Sequence, residues 1–263
     1  MSRNFELMQN LGREREVFEA PPEAGSTFAA TTIGETATKF ASAPLELQPL
    51  QLQMEAAQRD EMFKLVQRVF LMPGEDKGRV VVVSGMESGN GCSWISARMA
   101  EVLASQVSGS VCVVDANLRS PGLHREFGVP NHYGLSDALQ VADPIRRFVT
   151  SLSRPNLWLL SCGAEIDGMQ TMLGSERMRS ILPELQREFD YVLIDAPPME
   201  TSDDAVVLGR LADGIVLVLR AHSSRRETAR KAVRDLEHAS VRVLGAVLNR
   251  RTFPVPESIY RKL

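Results

Sequence analysis

The chain has 263 residues, of which 44% are hydrophobic and 24% charged, and its formal net charge is −3. This composition is typical of a globular protein with room for one large α/β domain and a tail, and the near-neutral charge argues against a nucleic-acid-binding role. Three cysteines (Cys92, Cys112 and Cys162) are too few for a disulfide framework and match no metal-site spacing. No apolar run approaches the roughly 20 residues of a membrane span, and the first ten residues are too polar for a signal peptide. We therefore expect a cytoplasmic protein that reaches a membrane only through a partner.

The composition changes near residue 50. Residues 20–50 are rich in Ala, Thr, Pro and Ser and show little apolar periodicity, which predicts a flexible linker. Before the linker, Phe5, Met8 and Leu11 recur at helical spacing and predict a short amphipathic helix over residues 3–18. That helix is either a frayed terminus, which we favour, or a docking peptide. We therefore divide the chain into an N-terminal segment (1–50) and a domain (51–263).

From residue 55 onward, helical patterns alternate with short apolar runs. The apolar spacing of residues 62–69 predicts a helix over 55–71 that Pro73-Gly74 ends. Unbroken runs of β-branched residues are typical of strands buried on both faces. The predicted strands are Val80–Val83, Val111–Val114, Leu157–Leu160, Tyr191–Ile194, Ile215–Leu219 and Val243–Leu248. The later helices are predicted over residues 93–107, 175–188, 203–212 and 224–239, and Pro183 should kink or break the second of these.

This alternation predicts an α/β fold, with a mostly parallel twisted sheet and helices on both faces, preceded by the flexible N-terminal segment. Ligands of such sheets bind beyond the carboxyl ends of the strands. The predicted first strand is followed there by a glycine-rich turn, which predicts a phosphate-binding loop made of Ser88, Gly89, Asn90, Gly91, Cys92 and Ser93. Its glycines allow positive φ, so that successive N–H groups converge on a phosphate, and the next helix adds its positive end. The hydroxyl of Ser93 is placed to reach Mg²⁺.

The loop departs from the phosphate-loop pattern GxxxxGK[ST] at two positions. Met86 stands at the first glycine position, and Cys92 stands at the lysine position. Taken alone, the segment therefore also fits a glycine-rich turn that binds no ligand.

Two aspartates favour the interpretation that the glycine-rich loop binds a ligand. Asp115 and Asp195 each follow directly on a run of strand residues, at the edge where the glycine loop lies. A single aspartate at a strand end is usually a turn former or a helix cap. Two of them beside a glycine loop can hold a hydrated Mg²⁺, and one of these carboxylates can accept a proton from an attacking hydroxyl.

Three segments resemble a known family. VVDANLRSPGLHREFG (113–128) resembles its second aspartate motif, FDYVLIDAPP (189–198) its Walker B motif, and DGIVLVLR (213–220) with VLGAVLNR (243–250) its closing strands. The family is that of the bacterial tyrosine kinases (BY-kinases, CpsD/CapB type) of capsule and exopolysaccharide synthesis, a branch of the ParA/MinD-like P-loop ATPases. The resemblance runs from about residue 55 to about residue 250.

The resemblance implies Mg-ATP as cofactor and protein-tyrosine autophosphorylation as activity. The loop 88–93 would then cradle the phosphates, and Asn249 would contact adenine. Ser93, Asp115 and Asp195 would hold Mg²⁺, and Asp115 would also orient or deprotonate the acceptor hydroxyl. Arg119, in the same second aspartate motif, would be a further catalytic residue. The tail offers Tyr260 as the phosphoacceptor. Relatives without a membrane segment work with a membrane protein that regulates polysaccharide chain length, so we expect the same kind of partner here. We also expect the chain to form a homo-oligomer and to lie at the inner membrane through its partner.

Several departures from the family predict that catalysis is weakened or lost. Cys92 cannot neutralise charge on a transferring phosphoryl group, and the loss of one such donor costs on the order of 10²–10³ in rate. Asn117 stands in place of a motif aspartate. Lys64 and Gln67 stand where the family's oligomerisation motif, ExxRxxR, has arginines.

Cys92 and its neighbours raise two further questions. A thiol near a helix N-terminus should have a lowered pKa, which would suit a redox-sensing site. The alternative, which we favour, is that Cys92 is a small residue tolerated after the loss of catalysis. Arg98, Arg119 and Lys77 are candidates to replace the missing lysine, but Arg119 already serves in its own motif, and we expect Arg98 and Lys77 to face solvent.

Two other functions remain open. A MinD/ParA-like positioning ATPase would carry a second lysine early in the loop, where Met86-Glu87-Ser88 supplies none. A non-catalytic scaffold would bind no nucleotide at all.

Overall fold

A seven-stranded sheet forms the centre of the protein in a computed structural model that describes residues 54, 56–71, 80–164, 168 and 172–250. The predictions for residues 1–50, for Pro73-Gly74 and for Tyr260 lie outside these residues. None of the described helices combines the length and hydrophobicity that crossing a membrane requires.

The strands follow the order β3-β4-β2-β5-β1-β6-β7, and all are parallel except β3, which pairs antiparallel with β4. They are β1 (Val80–Gly85), β2 (Val111–Asp115), β3 (Thr150–Ser151), β4 (Leu157–Leu160), β5 (Tyr191–Asp195), β6 (Gly214–Arg220) and β7 (Val243–Asn249). The six predicted strands are confirmed to within two residues at each end. The sequence analysis missed β3, because its two exposed residues carry no apolar pattern.

The described helices are α1 (Ala56–Val66), which continues into a π-helical turn at Gln67–Leu71, α2 (Cys92–Gln106), α3 (Leu123–Phe127), α4 (Leu135–Gln140), α5 (Glu176–Glu188), α6 (Asp204–Leu211) and α7 (Arg226–His238). A 3₁₀ turn at Ile145–Arg147 follows α4. The five predicted helices that fall on described residues are confirmed, and the short α3 and α4 were missed. Helices of five or six residues are too short to establish a periodic pattern in sequence.

The β-branched runs lie at the centre because both faces of the sheet are covered. Val80 and Val82 of β1 pack into one hydrophobic core, whereas Val81 and Val83 pack into the other. This alternation follows from the two-residue period of a strand. The parallel strands end together, so their carboxyl ends form one edge at which loops and helix N-termini converge.

Helix α5 runs through Pro183 without a break, so of the two predicted outcomes, a kink or a break, the break is wrong. Pro183 lacks the N–H that would bond to the Arg179 carbonyl, but both residues lie on the exposed side of the helix. The opposite side buries Met178, Ile181 and Leu185 in the core. This burial compensates the missing hydrogen bond.

We expect Pro183→Ala to raise the free energy of unfolding by about 1–2 kcal/mol, because alanine restores a helical hydrogen bond while the unfolded chain gains only modest freedom. Urea unfolding followed by circular dichroism measures this change. Pro144→Ala, just before the 3₁₀ turn and outside any helix interior, is the matched control and should not stabilise. A loss of stability in Pro183→Ala would contradict this account.

Candidate functional site

A glycine-rich loop joins β1 to α2 at the carboxyl edge of the sheet. Gly89 and Gly91 have φ angles of 77° and 84°, the left-handed conformation that glycine adopts without strain. Gly91 directly precedes α2, and its carbonyl accepts a hydrogen bond from the N–H of Ile95 at 3.0 Å. The predicted positive φ angles are confirmed, and the positive end of α2 begins directly behind the loop.

Two asparagine side chains attach this loop to the neighbouring strands. The Nδ2 of Asn90 donates to the Val218 carbonyl of β6 (3.0 Å), and the Nδ2 of Asn249 at the end of β7 donates to the Asn90 carbonyl (2.8 Å). The N–H of Met86 also donates to the Val218 carbonyl, at 3.3 Å. The loop is therefore held by β6 and β7 as well as by its own strand.

Asp115 and Asp195 lie side by side at the carboxyl edge of the sheet, the edge at which the sequence analysis placed both. They are register partners at the ends of β2 and β5, and neither is exposed to solvent. The Oδ2 of Asp115 accepts from the N–H groups of Gly122 and Leu123, each at 2.9 Å, and its Oδ1 accepts from the N–H of Asn117 at 3.3 Å. Asp115 thus organises the turn that follows β2.

The Asp195 carboxylate has fewer partners. Its Oδ1 accepts from the Ser96 hydroxyl at 3.1 Å, whereas its Oδ2 is buried and has no hydrogen-bond partner among the described residues. The sequence analysis did not identify Ser96. Its position one helical turn after Ser93 was the available signal, because residues three apart share a helix face.

Burial and mutual repulsion govern the protonation of this pair. Burial, and next the nearby Asp115, raise the pKa of Asp195 to about 8, although the hydroxyls of Ser93 and Ser96 oppose the rise. Burial also raises the pKa of Asp115 to about 6, against the effect of its three backbone donors. Without a cation, the pair therefore retains a proton near neutral pH.

These residues fit a hard divalent cation. The unpaired Oδ2 of Asp195 is the kind of oxygen that Mg²⁺ selects. A Cβ atom built on Gly122 would lie 2.7 Å from the Ser93 hydroxyl oxygen, so Ser93 fills the space between the loop and the turn after β2. Asp115 is less suited to direct ligation, since its oxygens already accept three N–H groups.

The pKa of the Cys92 thiol is not lowered as the sequence analysis expected. Burial raises the pKa of the Cys92 thiol, and the nearby Asp195 raises it further, while the backbone lowers it only in part. The expected fall in pKa is therefore wrong, because burial beside a carboxyl outweighs the helix N-terminus. A Cβ atom on Gly85 would lie 2.8 Å from the sulfur, which places the thiol against the end of β1.

Arg98 does not face solvent, contrary to the prediction. The residue is 5% exposed, its Nη2 lies 3.5 Å from Glu126 and its Nη1 3.8 Å from Glu101, and its guanidinium stacks on Trp94. The packing of α2 against α3 buries the side chain between these groups. Two carboxylates already pair with its charge, so Arg98 offers no free cation to replace the missing lysine.

The remaining predicted site residues are more exposed or lie outside the described chain. Ser88 and Gly89 form the exposed tip of the loop, and Arg119 is exposed in the turn after β2. Lys77 and Tyr260 fall on residues that the structure does not describe.

Known proteins share both the sequence and the fold. Residues 76–261, well over half of the chain, match the ParA family, described as a NUBPL iron-transfer P-loop NTPase. The chain is 29% identical to a protein named putative tyrosine-protein kinase CapB from Staphylococcus aureus, over 71% of this chain and 81% of that protein. It is 31% identical to tyrosine-protein kinase YwqD from Bacillus subtilis, over 64% of this chain and 71% of that protein.

A solved structure extends the likeness to the fold. The chimerical protein CapA2B2 superposes with a TM-score of 0.70 at 23% identity, over 76% of this chain and 87% of that one. This likeness shows that the two chains share a fold. The chain belongs to the bacterial tyrosine kinase family, within the ParA-type P-loop NTPases.

Proposed function

We propose that this chain binds Mg-ATP and regulates exopolysaccharide or capsule biosynthesis, with a tyrosine kinase activity that is weakened or lost. The observation that carries the proposal is the buried Asp115–Asp195 pair, one oxygen of which has no partner among the described residues, beside the glycine loop and α2. Two buried carboxylates repel each other, and a bound divalent cation relieves that repulsion.

The individual roles follow from the contacts of each residue. The loop 88–93 supplies backbone N–H groups and the positive end of α2 to the phosphates. Asp195 and Ser93 hold the Mg²⁺, which when bound supplies positive charge to the phosphate oxygens. Asp115 organises the turn after β2 and through that turn would orient the acceptor hydroxyl, while the exposed Arg119 of the same turn would contact the substrates.

Cys92 is the reason that we propose weakened catalysis. A neutral thiol replaces the cationic lysine, and Arg98, the buried arginine on the same helix, is already paired with carboxylates. The bound nucleotide would then act as a structural ligand or a switch, and the chain as a regulator. A pure scaffold is the alternative that this substitution also favours.

The cellular role is proposed from the family. The chain would work in the cytoplasm at the inner membrane, held there by a membrane protein that regulates polysaccharide chain length. Tyr260 would be the phosphoacceptor if phosphoryl transfer occurs, and self-association would bring that tyrosine to a second copy.

We expect the wild-type protein to bind a fluorescent ATP analogue with Mg²⁺, and Cys92→Lys to autophosphorylate faster by on the order of 10²–10³, because the lysine restores a charged donor. Radiolabelled phosphate incorporation at Tyr260 measures the rate. Cys92→Met, a long side chain without charge, is the matched control and should stay at the wild-type rate. The proposal fails if the wild-type protein binds no analogue up to millimolar concentration, or if Cys92→Lys does not exceed Cys92→Met.

The raised pKa of Asp195, about 8 against its ordinary value of 3.8, makes Mg²⁺ compete with a proton. The thermal stabilisation by Mg-ATP should therefore increase as the pH rises from about 6 to about 8.5. Without Mg²⁺ the pH dependence has the opposite sign. The contribution of Asp195 to the free energy of unfolding is fully present below its ordinary pKa and is lost as the pH rises through about 8.

Thermal melts across this pH range test both statements. Asp195→Asn should abolish both pH dependences, whereas Asp143→Asn, at a partly exposed aspartate paired with Arg147 far from the site, should preserve them. A Mg-ATP stabilisation that is equal at both ends of the range would contradict the assignment of Asp195.

A further inference from the structure

We propose that Ser96 of helix α2 is a positioning residue for the candidate cation site. Its hydroxyl fixes the rotation of the Asp195 carboxylate, and this rotation decides where the second carboxylate oxygen points. The inference deepens the proposed function and rests on it, because it concerns how Asp195 presents an oxygen to Mg²⁺.

The backbone of Asp195 is held from both sides. The Asp195 carbonyl accepts from the N–H of Ala116 at 2.9 Å, and the next N–H along the strand, that of Ala196, donates to the Val83 carbonyl at 2.9 Å. These bonds fix the backbone but leave the carboxylate free to rotate about its Cβ–Cγ bond, because a torsion of this type has no sharp preferred value. Only a contact with the carboxylate itself can fix its orientation.

Ser96 supplies that contact. Its Oγ donates to Oδ1 of Asp195 at 3.1 Å, and both residues are fully buried. A serine inside a helix often bonds to the carbonyl of the preceding turn, but the Ser96 hydroxyl is directed across to β5 instead. With Oδ1 held in this way, Oδ2 is the oxygen that has no hydrogen-bond partner in the described part of the chain.

Ser96 acts on the site through Asp195. It lies one helical turn beyond Ser93, the proposed ligand, and residues three apart share a helix face. The hydroxyl of Ser93 also faces Asp195 and favours its charged form. Ser96 differs from Ser93 because its hydroxyl is bonded to Oδ1, whereas the oxygen proposed to meet the cation is Oδ2.

The same helix also carries the end of the phosphate loop. The N–H of Ile95, directly before Ser96, donates to the Gly91 carbonyl at 3.0 Å. The N–H groups for the phosphates and the donor that orients Asp195 therefore belong to one helical segment. Side chains that orient a metal ligand in this way typically contribute a factor of about ten to a hundred to metal affinity.

Ser96→Ala removes the hydroxyl without weakening the helix, because alanine is the best helix former. We expect the affinity for ADP with Mg²⁺ to fall by about tenfold, and the affinity for ADP without Mg²⁺ to stay unchanged, because the loop keeps its N–H groups. Isothermal titration of the full-length chain, with Mg²⁺ or with EDTA, measures both. An equal loss under the two conditions would overturn the inference, because Ser96 would then support the loop and not the cation site.

Two further variants separate a positioning role from a general loss of packing. Ser136→Ala is the matched control, since Ser136 is another fully buried serine, on α4, whose hydroxyl lies near Asp137. It should leave both affinities unchanged. In an Asp195→Asn background, Ser96→Ala should cause no additional loss of affinity for ADP with Mg²⁺, because its effect passes through Asp195. An additional tenfold loss in that background would contradict the proposal.

Mn²⁺ alone distinguishes failure of this inference from failure of the proposed function. If ADP does not bind the wild-type protein with or without Mg²⁺, the proposed function fails, and Mn²⁺ binding without nucleotide, followed by electron paramagnetic resonance, then decides the role of Ser96. Ser96→Ala should bind Mn²⁺ about tenfold more weakly than wild type. Equal Mn²⁺ affinity of the two proteins, or no binding by either, would overturn the inference.

Discussion

Two carboxyl groups, buried side by side where two parallel strands end, constrain the surrounding structure. Asp115 and Asp195 are register partners without solvent exposure, so each needs hydrogen-bond donors or a proton from its surroundings. The turn after β2 closes around Asp115 with three N–H groups. Helix α2 turns Ser96 toward Asp195. The supply of donors is uneven, and the carboxylate with fewer donors has the higher pKa.

This imbalance distinguishes the two aspartates chemically. Asp115 is satisfied by backbone groups and acts on the shape of its turn. Asp195 keeps one oxygen without a partner among the described residues, and that oxygen suits a cation. The same environment explains Cys92, because a thiol next to a buried carboxyl has little tendency to ionise. The substitution thus removes a positive charge from the site and adds no reactive thiolate.

The strands and the loop were predictable from sequence for a local reason. Unbroken β-branched runs are typical of strands covered on both faces, and parallel strands align their carboxyl ends, so two short motifs placed Asp115 and Asp195 at one edge of the sheet. Their direct pairing depends on the strand order, which puts β2 next to β5. The predictions that failed depend on contacts between residues that are distant in the sequence. Pro183 is tolerated in α5, and Arg98 is buried between α2 and α3, because partners distant in sequence supply the compensating contacts.

By itself, the sequence determined the α/β class, the six principal strands, the glycine loop and the place of the carboxylates, since each depends on residues adjacent in the chain. Tertiary structure alone decided which groups meet: Ser96 with Asp195, Arg98 with Glu126, and Asn249 with the glycine-rich loop that follows β1. It also decided the pKa values, since the pKa of a buried group depends on the groups packed around it in three dimensions. The short strand β3 and the helices α3 and α4 belong to the same category, because packing rather than pattern specifies elements of so few residues.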